Sequence, residues 1–258
     1  MGSASREALA EVRGTLRAGQ SEATGPELLQ AADQIGTNAA LASVLGDATA
    51  EASGKTQVVS RLFGGLTDDA RAVLTAAAAA RWSNSAEFVE GVEELGIRAA
   101  ALSEPSLADE LLAVADLIDR DHELELGLGS KLIGAEGKLS LVSGLLSGKV
   151  SDVALAVVRQ LVANPQGRRL NTALRSSARI AADQGGSELA TVTVATPLNA
   201  QQQQRLATAL ERTVGRPVKV TTIVDPELIG GIRVQIADDV IDGSVRARLD
   251  DLRQQLAA

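Results

Sequence analysis

The sequence has no cysteine and no tyrosine, a single histidine, and only three aromatic side chains, Phe63, Trp82 and Phe88. Without cysteine there are no disulfides, no thiolate metal sites and no cysteine nucleophile, and a reducing, cytoplasmic setting is the expected one. Without aromatics there are no platforms on which bases stack. Positive charge is also short, since 25 Lys and Arg stand against 33 Asp and Glu for a net charge of −8. Phosphate neutralisation needs the opposite balance, so nucleic acid is not an expected partner. No apolar run approaches the roughly 18 residues of a membrane span. Met1-Gly2-Ser3-Ala4-Ser5-Arg6-Glu7 lacks the apolar core of a signal peptide and the serine or threonine of a myristoylation site, so membrane association is expected only through partners.

What remains is 45% hydrophobic and 22% charged, a globular balance. A core without aromatics must be built from Leu, Val, Ile and Ala, and abundant alanine favours close-packed helices over sheets. Residues 4–183 read as successive helices separated by Gly, Ser, Thr and Asp breaks. Leu28, Ala31, Ala32 and Ile35 follow the i, i+3, i+4, i+7 spacing of one helix face, with Pro26 near the start where a missing N–H costs little. Leu111, Val114, Ala115 and Ile118 repeat that spacing.

The coincidence extends to an internal repeat. Residues 27–65 align without a gap on 110–148, with 16 identities in 39 positions. Glu27-Leu28-Leu29 faces Glu110-Leu111-Leu112, Ala32-Asp33 faces Ala115-Asp116, and Gly54-Lys55 faces Gly137-Lys138. Leu45-Gly46 faces Leu128-Gly129, and Val59-Ser60 faces Val142-Ser143. Shared amphipathic periodicity does not account for matched Gly-Lys, Ala-Asp and Leu-Gly pairs in one register, so a small bundle used twice is expected. A helix around Glu87–Ala101 is placed to close the first copy and open the second, and a leading helix spans Arg6–Leu16. After the Gln-Gly-Gly-Ser linker at 184–187 the period changes from helical to alternating. Strands are expected around Val192–Val194, Val218–Val220 and Ile232–Ile236, with Asp239-Val240-Ile241 pairing back after a turn at Ala237-Asp238. One helix follows Pro197, and a last one buries Val245, Leu249, Leu252 and Leu256. The expected fold class is α+β: a duplicated all-α helical bundle over 1–104 and 105–187, then a small α/β domain with a short mixed sheet over 188–258. The last 70 residues are charge-balanced, so the whole −8 falls on the helical part.

No chemistry converges. His122 sits in the charged run Asp119-Arg120-Asp121-His122-Glu123, which reads as a solvated helix face or turn. Gly137-Lys138 lacks the glycine and hydroxyl a phosphate loop needs at 132 and 139, and Gly127 and Gly129 lack the third glycine of a dinucleotide fingerprint. The adjacent acids Asp68-Asp69, Glu93-Glu94, Asp238-Asp239 and Asp250-Asp251 diverge by geometry; helix N-terminal charge and turn chemistry are their expected roles. No catalytic residue, cofactor or metal is expected.

The segment with most character is 225–252. Asp225-Pro226 makes a turn, Gly230-Gly231 permits a conformation or approach that a Cβ would forbid, and Asp242-Gly243-Ser244 is suited to cap the final helix. This pattern resembles the signature of the delta subunit of rotary F-type ATP synthases, a family that includes the mitochondrial oligomycin-sensitivity-conferring protein. The matching residues are Asp225, Leu228, Gly230, Gly231, Ile232, Val234, Asp242, Gly243, Ser244, Val245, Arg246 and Leu249. The upstream strands and helices fit the same family, but the chain is longer by one bundle and looks like an extended bacterial form. The resemblance implies a non-catalytic stator subunit at the cytoplasmic face of the cell membrane. Its partners would be the N-terminal helices of the alpha subunits and the b subunit of the peripheral stalk, with no direct membrane insertion. A free-standing helical scaffold or regulatory interaction protein is the alternative reading, and an enzyme with a site between domains is a third.

Overall fold

The structure is a computed structural model that describes every residue except 131, 166, 227, 229, 237, 238 and 246–258. The helical region, Met1–Gln184, and the C-terminal domain from Gly185 onward are two compact units.

In the helical region the elements are α1 (Ser3–Arg13), α2 (Thr24–Gly36), α3 (Ala39–Gly46), α4 (Ala52–Leu62), α5 (Asp68–Ala79), α6 (Ser85–Ser103), α7 (Leu107–Arg120), α8 (His122–Gly129), α9 (Ala135–Leu146), α10 (Asp152–Ala163) and α11 (Leu170–Gln184). The repeat is structural as well as textual. A step of 83 residues carries the start of α2 onto α7, of α3 onto α8 and of α4 onto α9, and one further residue brings α5 onto α10. The helix starts repeat because their caps do: Asn38 accepts the Leu41 N–H and Asp121 the Leu124 N–H, while Thr67 caps α5 through Ala70 and Ser151 caps α10 through Ala154. Asp68 and Asp69 fall in the first turn of α5, where the helix dipole favours negative charge. Pro26 lies in the first turn of α2, two residues inside its start at Thr24, still among the N–H groups that have no intrahelical acceptor.

The first copy has its own core, in which Leu28, Ala31, Ala32 and Ile35 meet Val59, Phe63, Leu74 and Trp82. Full burial of each such Leu or Ile stabilises by about 1.5–3 kcal/mol. Leu111, Val114, Ala115 and Ile118 are buried likewise in the second copy. α6 is common to both. Phe88, Val92, Leu95 and Ala99, spaced for one face, enter the first core, while Glu93 and Arg98 reach Arg168 and Asp183 of the second copy. The helix is accordingly buried almost all round from Phe88 to Ala101.

The C-terminal domain runs β1 (Glu188–Val194), α12 (Ala200–Val214), β2 (Val218–Val224), β3 (Ile232–Ile236) and β4 (Asp239–Asp242). Its sheet has the order β2-β1-β3-β4, with β1 parallel to β2 and antiparallel to β3, and β3 antiparallel to β4. The expected mixed sheet and the short returning strand are therefore present. Ala190, Val192, Val194, Leu210, Val218 and Val234 form the core. α12 opens on a capping box in which Asn199 and Gln202 satisfy each other's backbone N–H groups, an Asn-x-x-Gln signal readable in the chain. The turn expected at Ala237-Asp238 and the final helix with Leu249, Leu252 and Leu256 lie outside the described residues.

Candidate functional site

Among the described residues, no group of three or more His, Cys, Asp or Glu side chains is placed to hold a metal ion. His122 opens α8 with its side chain 79% exposed, 3.7 Å from the Glu125 carboxylate. Glu93 and Glu94 point apart, the first to Arg168 and the second to Arg98, each at 2.6 Å. Gly137 and Lys138 lie inside α9 and form no phosphate loop.

The signature residues gather at one corner of the C-terminal sheet. The Asp225 N–H donates to the Val194 carbonyl at the end of β1, and the Leu228 N–H returns to the Asp225 carbonyl, closing the turn. Gly231 has φ +81°, and a Cβ there would stand 2.4 Å from the Gly243 carbonyl oxygen, so the close approach expected of the glycine pair is real at this position. Two backbone bonds tie the segments, from Gly243 N–H to the Ile232 carbonyl and from Val245 N–H to the Gly230 carbonyl. Asp242 accepts the Ser244 N–H at 2.9 Å and pairs with Arg233 at 3.0 Å across the hairpin. Hydrogen bonds from the Ser244 hydroxyl and then its N–H hold the Asp242 carboxyl below the ordinary range. Val234 is in the core and Ser244 is buried, while Val245 is exposed. Arg246 and Leu249 lie outside the described residues. Among the described residues, the cluster ties the β3–β4 hairpin together through backbone contacts.

Among the described residues, the helical region has a partly apolar groove in each copy. One of about 420 Å³ lies beside Gly36, Ala42, Ser85 and Val89. Its counterpart of about 830 Å³ lies beside Ile118, Leu126, Leu128 and Leu161, with His122, Lys138, Arg168 and Arg169 also on its walls. A groove between helices can take the apolar face of a partner helix.

Three sets of contacts were invisible in the sequence. The Glu27 carboxylate receives both the N–H and the hydroxyl of Thr67, at 2.9 and 2.7 Å, and the Glu110 carboxylate receives those of Ser151, at 3.1 and 2.6 Å. Each repeat thus locks α2 or α7 to the cap of its fifth helix with the same two bonds. Arg98, itself buried, holds Glu94 within α6 and Asp183 of α11, and Asp183 also takes Arg13 of α1. Between the copies, Gln160 donates to the Leu29 carbonyl and Asn164 to the Asp33 carboxylate. The identity of Glu27 with Glu110 in the repeat was the only signal for the first set, and it named no partner.

Comparison with known proteins follows the same outline. Residues 98–256 match the model of the family described as ATP synthase delta (OSCP) subunit, so the match begins within α6 and leaves the first copy outside it. The chain is 44% identical to "ATP synthase subunit delta" of Leifsonia xyli subsp. xyli, covering all of both chains. It is 34% identical to the protein of that name from Streptomyces avermitilis, over 99% of this chain and 98% of the other. Against that of Nocardia farcinica it is 34% identical over all of both. The additional helical copy is thus within the length these relatives share.

Proposed function

Since the chain belongs to the ATP synthase delta (OSCP) subunit family, we propose that its helical region holds the N-terminal helices of the alpha subunits and its C-terminal domain meets the b subunit. Membership makes it a non-catalytic, peripheral-stalk subunit of ATP synthase. No described helix is long and apolar enough to cross a membrane, and in this reading the chain meets the membrane through the complex. In this reading the complex stands on the cytoplasmic face of a bacterial cell membrane, and the subunit resists the torque that rotation exerts on the catalytic head. The working divisions are a helical unit over 1–104, a second over 105–187 that shares α6 with it, and the C-terminal domain over 188–258.

The observation that supports the reading is a pair of interhelical grooves with partly apolar linings, on a bundle present twice. A stator needs affinity without turnover. A nanomolar clamp corresponds to about 12 kcal/mol, within reach of a buried apolar helix face of standard interface size. Titration of an alpha-subunit N-terminal peptide into the full chain, followed by calorimetry and by Trp82 fluorescence, is the direct test. Saturable binding at micromolar concentration or below is expected; its absence would remove the clamp. The free-standing scaffold reading predicts instead no co-purification with synthase subunits, and the full-length relatedness to delta subunits stands against it.

A further inference from the structure

The two copies of the bundle are variants of one core. In the first, Ile35, Leu45, Ala77 and Ala78 pack with the rings of Trp82 and Phe88, all of them buried. The steps of 83 and 84 residues carry those four onto Ile118, Leu128, Leu161 and Val162, which line the groove of the second copy. Neither ring has an aromatic counterpart there. Ser85 and Leu170 open α6 and α11, a step of 85 residues that sets Ala173 opposite Phe88. The position that answers Trp82 is Gln166, which lies outside the described residues. Leu161 and Val162 outgrow the alanines they replace, yet the groove measures about 830 Å³ against about 420 Å³ in the first copy. That size, with a partly apolar lining and a few polar groups, is what a small-molecule site has.

Charge changes in the same place. The repeat matches Lys55 with Lys138, but their surroundings differ. Lys55 is only 4% exposed. Burial pushes its ammonium below the ordinary lysine value, and the nearby Asp47 carboxylate opposes that shift. The residue that answers Asp47 is Ser130. The second copy thus has the lysine without the acid, and both Lys138 and Ser130 line its groove. Among the described residues, neither Lys138 nor Arg169, also on the wall, forms an ion pair through its side chain. Glu125 is the one acid of the described lining, and it lies 3.7 Å from His122. Leu126, another lining residue, is 60% exposed where the first copy has Ser43.

We propose that the groove of the second copy binds a small amphipathic anion, an aryl carboxylate. Its rings occupy the space that Trp82 and Phe88 fill in the first copy, and its carboxylate pairs with Lys138, with Arg169 as the second cation. The first copy supplies both halves of such a ligand from its own chain: aromatic rings against Ile35 and Leu45, and a carboxylate near Lys55. The second copy has the receiving surface without them. Ring burial against Ile118, Leu128, Leu161 and Val162 provides the affinity, since apolar cavities take up aromatic guests. A charge-assisted bond to Lys138 selects the anion over its neutral analogue. This site is independent of the clamp: the ligand binds the free chain, and no alpha peptide enters the measurement.

The test is calorimetry of naphthylbutyrate with the full chain, beside the matching alcohol naphthylbutanol, with circular dichroism to verify the fold of each variant. One carboxylate per chain is expected, with a dissociation constant of about 100 µM or lower, and the alcohol binds about tenfold more weakly. Lys138→Gln removes that preference, lowering the affinity for the acid about tenfold and leaving that for the alcohol within about twofold. Lys149→Gln, on exposed surface outside the groove, changes neither. A Cβ on Gly129, a lining residue, would meet nothing within 4 Å, so Gly129→Trp fills the groove without displacing its walls and abolishes binding. No binding by the wild-type chain, equal affinities for acid and alcohol, or unchanged binding in Gly129→Trp would overturn the site. Binding of an acidic, tryptophan-bearing peptide by a chain that ignores the free acid would give the groove to a protein partner and overturn the small-molecule assignment as well. None of these outcomes alters the result of the alpha-peptide titration, which decides the clamp separately.

Discussion

Gly231 and Gly243 meet backbone to backbone, with the site of a Cβ on Gly231 only 2.4 Å from the carbonyl oxygen of Gly243 and 2.8 Å from the Ser244 Cα. This contact joins the start of β3 to the end of β4, and with it the two halves of the family signature. Gly231→Ala has to overcome both a positive φ and a backbone clash that no side-chain rotation relieves. A loss of about 2 kcal/mol or more is expected. Urea denaturation followed by far-UV circular dichroism reads it, as early melting of the C-terminal domain with Trp82 fluorescence of the helical region unchanged.

Glu27 and Glu110 make the same pair of bonds to Thr67 and Ser151. Glu27→Gln and Glu110→Gln each replace a charged acceptor with a neutral one that cannot take both donors equally well. Each costs about 1–2 kcal/mol, and the two losses should be similar. Measured stabilities that differ by more than about twofold would show that the copies are not energetically equivalent.

Trp82 reports on the first copy alone. Its indole N–H donates to the Ala77 carbonyl at 2.7 Å, its ring meets Phe88 edge-on at 5.7 Å, and Gly91 lies against its six-membered ring. A Cβ on Gly91 would stand 2.1 Å from the ring. Gly91→Ala therefore pushes the indole out of its slot, with a loss of about 1–3 kcal/mol and a red-shifted emission. Unshifted emission would show that α6 yields instead of the indole.

Acid should loosen the β3–β4 hairpin. Asp242 has its carboxyl held below the ordinary value by the Ser244 hydroxyl first, then by the Ser244 N–H, with Arg233 adding to the effect. A depressed folded-state pKa means that the stabilisation is complete above the unfolded value of about 4 and is lost as pH falls through the lower folded value. Asp242→Asn should weaken the domain at neutral pH and flatten its stability profile below about pH 4. A variant with the wild-type acid profile would exclude Asp242 as a source of that dependence.

Much of the architecture was readable because it is written in short-range chemistry. Helix faces such as Leu28, Ala31, Ala32 and Ile35 follow from spacing, the strand at Val192–Val194 from alternation, and the repeat from ungapped identities. The double role of α6 was also expected, since its helix stands where one copy must end and the next begin. The candidate site was less legible. The amides of Gln160 and Asn164 look like ordinary surface residues of an amphipathic helix, yet they bond the Leu29 carbonyl and the Asp33 carboxylate of the first copy. Those partners lie 131 positions away, a pairing that side-chain spacing does not fix.

By itself the sequence determined the helix-rich α+β class, the repeat, and the family through Gly230-Gly231 and Asp242-Gly243-Ser244, because periodicity and turn preference are local properties. Only the tertiary structure decided which carboxylate answers which helix cap, that α2 closes over α10, and that Gly231 rests on Gly243. The Glu27–Thr67 and Asn164–Asp33 bonds join residues 40 and 131 positions apart. Contacts at such separations depend on how whole helices pack, and side-chain periodicity leaves that packing open among several arrangements.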